Sequence, residues 1–520
     1  MGFFASNKGQ QTAPAQKLNA YNIIILLLLA PGSIAYGYSA AIIATTLGQP
    51  SFIEYFSLAT RPNATSLIGA TSGLFFAGGT IGPLLLPVIT DRWGRKWGIA
   101  ISYVLNVIAA AFMAGSTNMG EFIFFRFIAG ASAFMILGAI PLYMNEIVPS
   151  RMRGGLVELH AVFFILGFVI ASWIGFGFSF WTSGGLKAWR VPLAIQAFFS
   201  LTGLTCLVFI PESPRWLVMN DRHDEAQNIL HKLHGSEDQA TDTYARAEFY
   251  QIQKQIRVDK TLGNSWMHLL KKPSYRKRVL MGCGLTFFIQ SSGDLVINNY
   301  SPLLYKDLGY GVTKQLLYPS AWLTFTLGIS VIAMPLIDRF PRNKMTAVGL
   351  WGTMSTLIVE AALVASFVPS TNENALRAAV AMLFVFQIFD TACLNGPEWA
   401  YLGELFPTHI RSKGYCAAMS ILALSNVVYT QVAPTAFANI GWKYYLVFII
   451  LTFIGGCVVW IYYPDTRGKP LEEIAALFGD ADEVAVYQEE IEVNQTELTI
   501  VDHHEDKGTV EMHEDALKAV

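Results

Sequence analysis

The segment Asp91-Arg92-Trp93-Gly94-Arg95-Lys96 decides the fold, because about 250 residues later the chain repeats it as Asp338-Arg339-Phe340-Pro341-Arg342-Asn343-Lys344. Two further sets of residues recur at nearly the same offset, namely Glu146, Pro149 and Arg153 as Glu404, Pro407 and Arg411, and Pro211-Glu212-Ser213 as Pro464-Asp465-Thr466. One match would be chance, whereas three in the same order predict a duplicated half.

The composition predicts a membrane protein. Hydrophobic residues make up 53% of the 520 residues and charged residues only 14%, with a mean hydropathy of +0.40, which is too apolar for an ordinary soluble protein. The charges are clustered, and the stretches between the clusters are about 20 residues long, the length that crosses a bilayer core. About twelve such stretches are predicted as membrane helices. They are 20–47, 64–90, 97–115, 121–145, 155–178, 189–210, 277–308, 315–337, 345–368, 376–403, 414–438 and 441–463.

Several function classes are excluded by the same numbers. A net charge of −2 predicts no nucleic acid partner. The five cysteines all fall inside apolar stretches without metal-ligand spacing, so they are interpreted as small packing residues. The sequence contains no phosphate-binding loop and no nucleophile with a neighbouring base. We therefore expect no enzyme activity, no cofactor and no metal.

Charge asymmetry predicts the orientation. Lys8 and Lys17 precede the first apolar stretch, which lacks a cleavage site of small residues and is therefore predicted as a membrane helix rather than a signal peptide. With the N-terminus inside, the connections that carry the repeated arginines all become cytoplasmic. The sequon Asn63-Ala64-Thr65 then lies in the first outer loop, which predicts glycosylation at Asn63.

The chain is predicted to divide into five regions. Residues 211–276 are the only long polar insertion, and their apolar positions at helical spacing predict short helices between the halves. The tail is acidic, and beyond Phe478 we expect it to be disordered. The regions are a cytoplasmic N-terminal segment 1–19, an N-terminal half 20–210, cytoplasmic linker helices 211–276, a C-terminal half 277–463 and an acidic cytoplasmic tail 464–520.

The repeated motifs carry a family resemblance over roughly residues 20–478. The strongest segments are Arg153-Gly154, Pro211-Glu212-Ser213-Pro214-Arg215-Trp216-Leu217, Glu404-Leu405-Phe406-Pro407 and Pro464-Asp465-Thr466. The chain resembles the sugar porter branch of the major facilitator superfamily, and in particular its fungal members. The resemblance implies an all-α membrane protein with twelve transmembrane helices in two six-helix halves, which rock around a central site.

The repeated charges are predicted to form a cytoplasmic gate. They lie at helix ends, where ion pairs lock a closed face and release when the halves separate. The alternative is that they are solvated or topogenic surface charges, whose pairs contribute little. The gate candidates are Asp91, Arg92, Arg95, Glu146, Arg153, Glu212, Arg215, Asp338, Arg339, Arg342, Glu404, Arg411 and Asp465.

Polar residues at mid-membrane depth are costly and are candidates for the central site. Besides the binding and coupling candidates, they include Ser39, Glu360, to which we assign no role, and His160, interpreted as a structural histidine facing water. The resemblance implies roles for Gln290, Trp399 and Asn426 in sugar binding. The predicted substrate-binding residues are Gln290, Asp294, Asn298, Asn299, Asn395, Glu398, Trp399 and Asn426.

The chain departs from the resembling family in two respects. Ile289, Ala161, Leu295 and the pair Leu422-Ala423 stand where the family has sugar-binding amides or an aromatic side chain, so an ordinary hexose would leave hydroxyls unpaired. Ser39 stands where proton-coupled members have an aspartate opposite the helix-four arginine, which is retained as Arg126. Three explanations stay open: a facilitator, a relocated proton site or an anionic substrate. The coupling candidates are Arg126, Asp294, Asp390 and Glu398.

We therefore predict a transporter of a sugar, polyol or related polyhydroxylated molecule, acting by alternating access as a facilitator or proton symporter. One alternative is a transporter of a sugar acid, quinate-like acid or secondary metabolite. Another is a non-transporting nutrient sensor on the same scaffold. The expected partners are a small-molecule substrate, the lipid bilayer and, in a symporter, protons. A monomer in the plasma membrane is expected.

Overall fold

The computed structural model describes residues 19–485 and three short stretches of the tail. The gaps within 19–485 are 48, 150–152, 182–183, 235–238, 264, 299–310, 368–372 and 470, and the tail stretches are 491–494, 499–502 and 510–512. Twelve helical spans in the described residues are long and apolar enough to cross a membrane. They confirm the prediction of an all-α membrane fold with twelve spans.

The first six spans come from α1, α3, α4, α5, α6 and α7, with one short helix, α2, between the first two. Their bounds are α1 Ala20–Leu47, α2 Pro50–Tyr55, α3 Ala64–Trp93, α4 Arg95–Gly115, α5 Met119–Ile147, α6 Arg153–Ser179 and α7 Lys187–Leu207. Small residues let these helices approach closely. On α1, a Cβ added at Gly37 would lie 1.9 Å from the carbonyl oxygen of Phe164 on α6, so the two backbones touch there.

Four helices that are not among the twelve spans follow the first half. They are α8 Pro214–Met219, α9 His223–His234, α10 Gln239–Thr261 and α11 Trp266–Lys271. Apolar side chains at helical spacing bury a small core of their own, which includes Leu217, Leu230, Ile252 and Ile256. The side of the membrane on which these helices lie stays a prediction.

The second six spans contain two breaks. The helices are α12 Pro273–Gln290, α13 Val312–Ala333, α14 Arg342–Phe367, α15 Glu373–Asp390, α16 Gly396–Leu405, α17 Thr408–Ile440 and α18 Tyr445–Tyr462, with 3-10 turns at Met334–Leu336 and Gly441–Tyr444. After α12 the chain turns at Gly293, whose φ of +86° suits glycine, and residues 294–298 are helical again. A π-helical turn, Thr391–Asn395, joins α15 to α16. Such wide turns are frequent at functional sites.

The tail departs from the expectation of disorder beyond Phe478. The 3-10 turns Leu471–Phe478 and Ala481–Glu483 pack on the second half, and Asp480 and Val484 are buried. The physical reason is ionic, because Asp480 lies 2.7 Å from Nη2 of the buried Arg278 on α12. Further on, three short strands form an antiparallel sheet in the order β1-β2-β3, with bounds β1 Ile491–Asn494, β2 Thr499–Asp502 and β3 Val510–Met512. In this sheet, Ile491 is opposite Asp502, and Ile500 is opposite Met512.

Candidate functional site

A cavity lies between the two halves at mid-membrane depth. Its volume is about 570 Å³ when the space open to solvent is included. Five aromatic side chains and several amides form its wall. The wall residues are Tyr36, Phe164, Ile165, Phe168, Gln290, Asp294, Leu295, Asn298, Trp322, Leu323, Thr326, Gln387, Asn395, Trp399 and Leu422. Aromatic and polar side chains together suit a small molecule that has both apolar faces and hydroxyl groups.

Two of the predicted binding residues form an amide pair. Gln290 is the last residue of α12 and lines the cavity, while Asn426 on α17 donates from Nδ2 to Oε1 of Gln290 at 3.1 Å. Asn426 is not on the wall itself. It therefore holds the Gln290 side chain in place, and the Gln290 amide nitrogen is the group of the pair that faces a ligand.

An acidic group lies on the second-half side of the cavity. Asp294 is half-buried on the wall, and Asp390 lies behind it, buried. Asp390 accepts a hydrogen bond from the hydroxyl of Ser292 at 3.1 Å and one from Nδ2 of Asn395 at 2.9 Å. The second contact exists because the π turn brings positions 390 and 395 together. Oδ1 of Asp294 has no hydrogen-bond partner among the described residues.

Trp399 anchors the aromatic part of the wall. It is 3% exposed and meets the rings of Phe164 and His160 edge to face, with centroid distances of 5.8 and 5.7 Å. Its indole Nε1 has no partner among the described residues. Tyr36 and Phe168 extend the same wall through Phe164. An aromatic surface of this kind can stack on an apolar face of a ligand.

Besides Asn426 and Asp390, two of the predicted binding or coupling residues that the structure describes are not on the cavity wall. Glu398 is 1% exposed and lies beside the wall. In a regular helix Asp390 and Glu398 would face the same side, but the π turn between them rotates α16 relative to α15. Arg126 donates from Nη1 to the carbonyl oxygen of Ser39 at 2.8 Å and lies 4.0 Å above the ring of Phe75. Asn299 falls outside the described residues.

The structure also corrects the interpretation of His160. The ring does not face water, since it is fully buried and its Nδ1 lies 2.7 Å from the hydroxyl of Ser33 on α1. Its packing against Trp399 makes it part of the support behind the cavity wall.

Below the cavity, at the end of the bundle that carries the repeated charges, two buried carboxylates each form ion pairs with two arginines. We call this end the charged end. Oε1 of Glu146 on α5 lies 3.0 Å from Nη2 of Arg95 and 3.9 Å from Nη1 of Arg411, and its other oxygen accepts from the Ser213 hydroxyl at 2.5 Å. Both carboxylates are fully buried, so these ion pairs are shielded from solvent, unlike surface pairs.

The second carboxylate, Glu404 on α16, repeats this arrangement. Its Oε1 lies 2.9 Å from Nη2 of Arg342 and 3.7 Å from Nη1 of Arg153, and its Oε2 accepts from the Thr466 hydroxyl at 2.7 Å. In each network one arginine comes from the same half as the carboxylate and the other from the opposite half. The charged end is therefore closed by ion pairs that join the halves.

The remaining gate candidates fall into three groups. Asp91 accepts from the Ser412 hydroxyl at 2.9 Å, Asp338 accepts from the backbone N–H of Gly155 at 2.7 Å, and these bonds also cross between halves. Glu212, Arg215 and Asp465 make contacts within their own side of the end; Arg215, for example, donates to the carbonyl oxygen of Glu146 at 2.6 Å. Arg92 and Arg339 are exposed, and no ion pair is found for their side chains among the described residues, which fits the solvated alternative.

Comparison with known proteins identifies this arrangement. The sequence profile of the family described as "Sugar (and other) transporter" matches residues 25–478. The chain belongs to the sugar transporter family. It is accordingly a multi-pass membrane transporter and not an enzyme.

Relatives and solved structures agree with this membership. The chain is 29% identical to the MFS-type transporter criB of Aspergillus cristatus, over 91% of this chain and 97% of that protein. It is also 29% identical to a probable quinate permease of Aspergillus clavatus, over 88% of each. The proton:xylose symporter XylE bound to 6-bromo-6-deoxy-D-glucose has the same fold, with a TM-score of 0.78, 24% identity, and coverage of 88% of this chain and 99% of that one.

Sequence reasoning missed two polar groups of this transporter. Gln387 lines the cavity, is 2% exposed, and donates to Thr391 while its Oε1 lacks a partner among the described residues. Glu158 on α6 is fully buried between the halves and accepts from the Ser330 hydroxyl at 3.0 Å. The signal was available in both cases, since each is a lone amide or acid within an apolar stretch.

Proposed function

We propose that this transporter moves a sugar, polyol or related polyhydroxylated small molecule by alternating access. The observation that carries the proposal is the position of the cavity. It lies between the halves and directly behind the two ion-pair networks of the charged end. Trp399 on the wall and Glu404 in one of these networks are five residues apart on α16, about 7.5 Å along the helix axis. A separation of the halves at the charged end would thus open the cavity to that side.

The ligand contacts follow from the wall. The amide of Gln290, held by Asn426, and the amides of Asn298 and Asn395 hydrogen-bond hydroxyl groups, while Trp399 covers an apolar face of the ligand. Glu398 acts indirectly in this proposal, since it lies beside the wall and not on it.

The ion pairs act as the gate. Glu146 and Glu404 with their four arginines hold the charged end shut, and their release accompanies opening toward the cytoplasm. We assign this end to the cytoplasmic side, the linker helices α8–α11 and the tail to the same side, and the exposed Asn63 to the outside, where it carries a glycan. The protein works as a monomer in the plasma membrane.

The mode of transport is facilitation without proton coupling. Arg126 donates to a backbone carbonyl and lies over an aromatic ring, and although its Nε has no partner among the described residues, it is held without a titrating acid at position 39. Of the coupling candidates, Asp390 already has both oxygens occupied by Ser292 and Asn395. We assign Asp294, on the cavity wall, to ligand binding, and we assign no proton role to Glu398, which is buried beside the wall with no partner on either oxygen among the described residues.

Uptake into reconstituted vesicles tests the proposal. A panel of labelled sugars, polyols and sugar acids is offered with and without a pH gradient. Equilibration of a sugar or polyol that ignores the gradient is the expected result. Accumulation driven by the gradient would instead support a symporter, preferred transport of an acid would favour the alternative suggested by the quinate permease, and no flux of any solute would favour a sensor.

A further inference from the structure

The cavity carries fixed charge of one sign. Among the wall residues that the structure describes, Asp294 is the only acidic side chain, and none is a lysine, arginine or histidine. Asp390 lies behind Asp294 and Glu398 beside the wall, which adds further acids and no cation. His160 lies behind Trp399, with its Nδ1 engaged by Ser33. Arg126 is directed to Ser39 and Phe75.

Asp294 is the acid on the described cavity wall whose hydrogen bonding is incomplete, and Glu398, off the wall, has no hydrogen-bond partner on either oxygen among the described residues. Asp390 has a donor on each oxygen, whereas Oδ1 of Asp294 has no partner among the described residues. A carboxylate in a membrane interior is stable only with a proton or a cationic partner, because desolvation is otherwise too costly. The described part of the wall has no cationic side chain, and we therefore look for the partner in the ligand or the solvent.

A second, independent group also points into the cavity. Gln387 is 2% exposed and lines the wall, its Nε2 donates to the Thr391 hydroxyl at 2.8 Å, and its Oε1 acceptor has no partner among the described residues. Since Thr391 holds the amide in this orientation, the group offered to a ligand is an acceptor. Asp294 and Gln387 together therefore call for a ligand with several donors in one place.

The aromatic side chains favour an ammonium group over a bare proton as that partner. Tyr36, Phe164, Phe168, Trp322 and Trp399 all border the same cavity. The faces of such rings attract cations, and the attraction is strongest where water is excluded. An ammonium group presents three donors and a positive charge, which matches one carboxylate, one amide oxygen and a ring surface.

We propose, resting on the transport function proposed above, that the solute is a polyhydroxylated molecule with a protonated amine, such as an amino sugar. Its ammonium group binds Asp294 and Gln387 among the aromatic rings, and its hydroxyls bind Gln290 and Asn298. Anionic solutes such as quinate-like acids are rejected, because they would face Asp294 without a counter-charge.

The test compares four solutes of one size class on the full chain in vesicles, at mildly acidic pH and without a pH gradient. Glucosamine carries the amine, N-acetylglucosamine is its neutral counterpart, glucose lacks the nitrogen and glucuronate is anionic. We expect glucosamine to be preferred over N-acetylglucosamine by about tenfold, the effect of one charge-assisted contact.

Variants of Asp294 test whether this residue causes the preference for glucosamine. Asp294→Asn removes the preference for glucosamine over N-acetylglucosamine, measured as the ratio of their two fluxes, and Asp294→Glu restores part of that ratio. The matched control is Glu360→Gln, which neutralises a buried carboxyl on α14 that is not on the wall and leaves the preference unchanged.

Four results would overturn the inference. The first is a preference for glucuronate, and the second is a glucosamine preference that survives in Asp294→Asn. The third, from a repeat of the glucose measurement with an inward pH gradient, is accumulation of glucose that Asp294→Asn abolishes, which would make the partner a proton. The fourth is no flux of any of the four solutes, and the proposed transport function is rejected with it only if the wider panel of sugars and polyols also shows no flux.

Discussion

At the residue scale, Arg126 shows how a buried cation is accommodated without an acid. Its guanidinium lies 2.8 Å from the carbonyl oxygen of Ser39, so a carboxyl group on residue 39 would come within reach of it. We predict that Ser39→Asp makes uptake depend on pH. A carboxylate at this point pairs with Arg126 when it is ionised and releases Arg126 when it is protonated. If the free energy that couples proton binding to solute binding has the usual size, an inward proton gradient accelerates uptake about fivefold or more.

The measurement is initial uptake by vesicles with and without the gradient. Ser39→Asn is the control, because it adds a side chain of the same size that does not titrate. Uptake by Ser39→Asp that is as indifferent to the gradient as that of the unmodified protein would contradict the prediction.

At the element scale, Gly94 sets the junction between α3 and α4. Its φ is +109°, and a Cβ there would lie 2.3 Å from Oε2 of Glu212. Glu212 accepts the backbone N–H of Arg95 at 2.9 Å and of Lys96 at 3.2 Å, the first donors of α4. Burial raises the pKa of the Glu212 carboxyl, so these donors are needed to hold its charge.

We predict that Gly94→Ala lowers the thermal stability of the purified protein. The backbone conformation alone costs about 1–3 kcal/mol for a residue with a side chain, and displacement of Glu212 adds to this. Gly115→Ala is the matched control, since it lies at the other end of α4 with no atom within 4 Å of the added Cβ. Equal melting temperatures for the two variants, followed by intrinsic fluorescence, would refute this explanation of the junction.

The tail segment that follows the last span is held by a set of contacts that we call the clasp. Arg278, with no exposed surface, pairs with Asp480, while Lys272 and the hydroxyl of Tyr275 both bind Glu483. Partial burial alone would lower the pKa of Lys272, but its bonds to Glu483 and Asp480 raise the pKa above the ordinary value of 10.5. The contribution of Lys272 to stability is therefore complete below that pH and is lost only as the pH rises through the raised value.

We predict that Asp480→Asn exposes the tail to proteases near neutral pH. Removing one partner of a buried pair costs about 3–5 kcal/mol, here because Arg278 keeps its charge without a carboxylate. Limited proteolysis followed by mass spectrometry locates the cleavage. Asp224→Asn is the control, because that carboxyl is exposed on α9. If both variants are cut at the same rate and place, Asp480 does not hold the tail.

Whether an element could be predicted from the sequence depends on whether local composition or distant packing contacts determine it. Length and hydropathy predict the twelve spans, because crossing a bilayer demands both. The π turn at Thr391–Asn395 has no comparable local signal, since a change of helical register is decided by the packing around it. That turn explains why Asn395 reaches Asp390 and why Glu398 is not on the wall. The buried turns after Phe478 were missed for a similar reason, because their partners lie about 200 residues away, on α12.

At the scale of the whole molecule, the duplication seen in the sequence becomes two matching ion-pair networks. Glu146 and Glu404 each take one arginine from their own half and one from the other half. Sequence repetition indicated which charges matter, but not which of them cross between halves. It also failed to separate the exposed Arg92 and Arg339 from the buried members, since burial depends on helix rotation in the assembled bundle.

A native cysteine reports on whether these networks close the charged end. Cys416 on α17 has no exposed surface, and its thiol is close enough to Asp91 and Arg95 to interact with their charges. It therefore lies next to the ion-pair networks of the charged end. We predict that Glu146→Arg exposes Cys416 to a charged thiol reagent added from the charged side and stalls uptake, while the protein stays in the membrane. The reversed charge repels Arg95 and Arg411 in a buried site, where attraction had held the halves together.

The labelling is done in a variant whose other four cysteines are replaced by serine. Arg153→Glu should act in the same way through Glu404, whereas Arg92→Glu should leave both labelling and uptake unchanged, because the Arg92 side chain is exposed. Labelling of Cys416 that is as slow in Glu146→Arg as in Arg92→Glu would mean that the ion pairs do not keep this end closed.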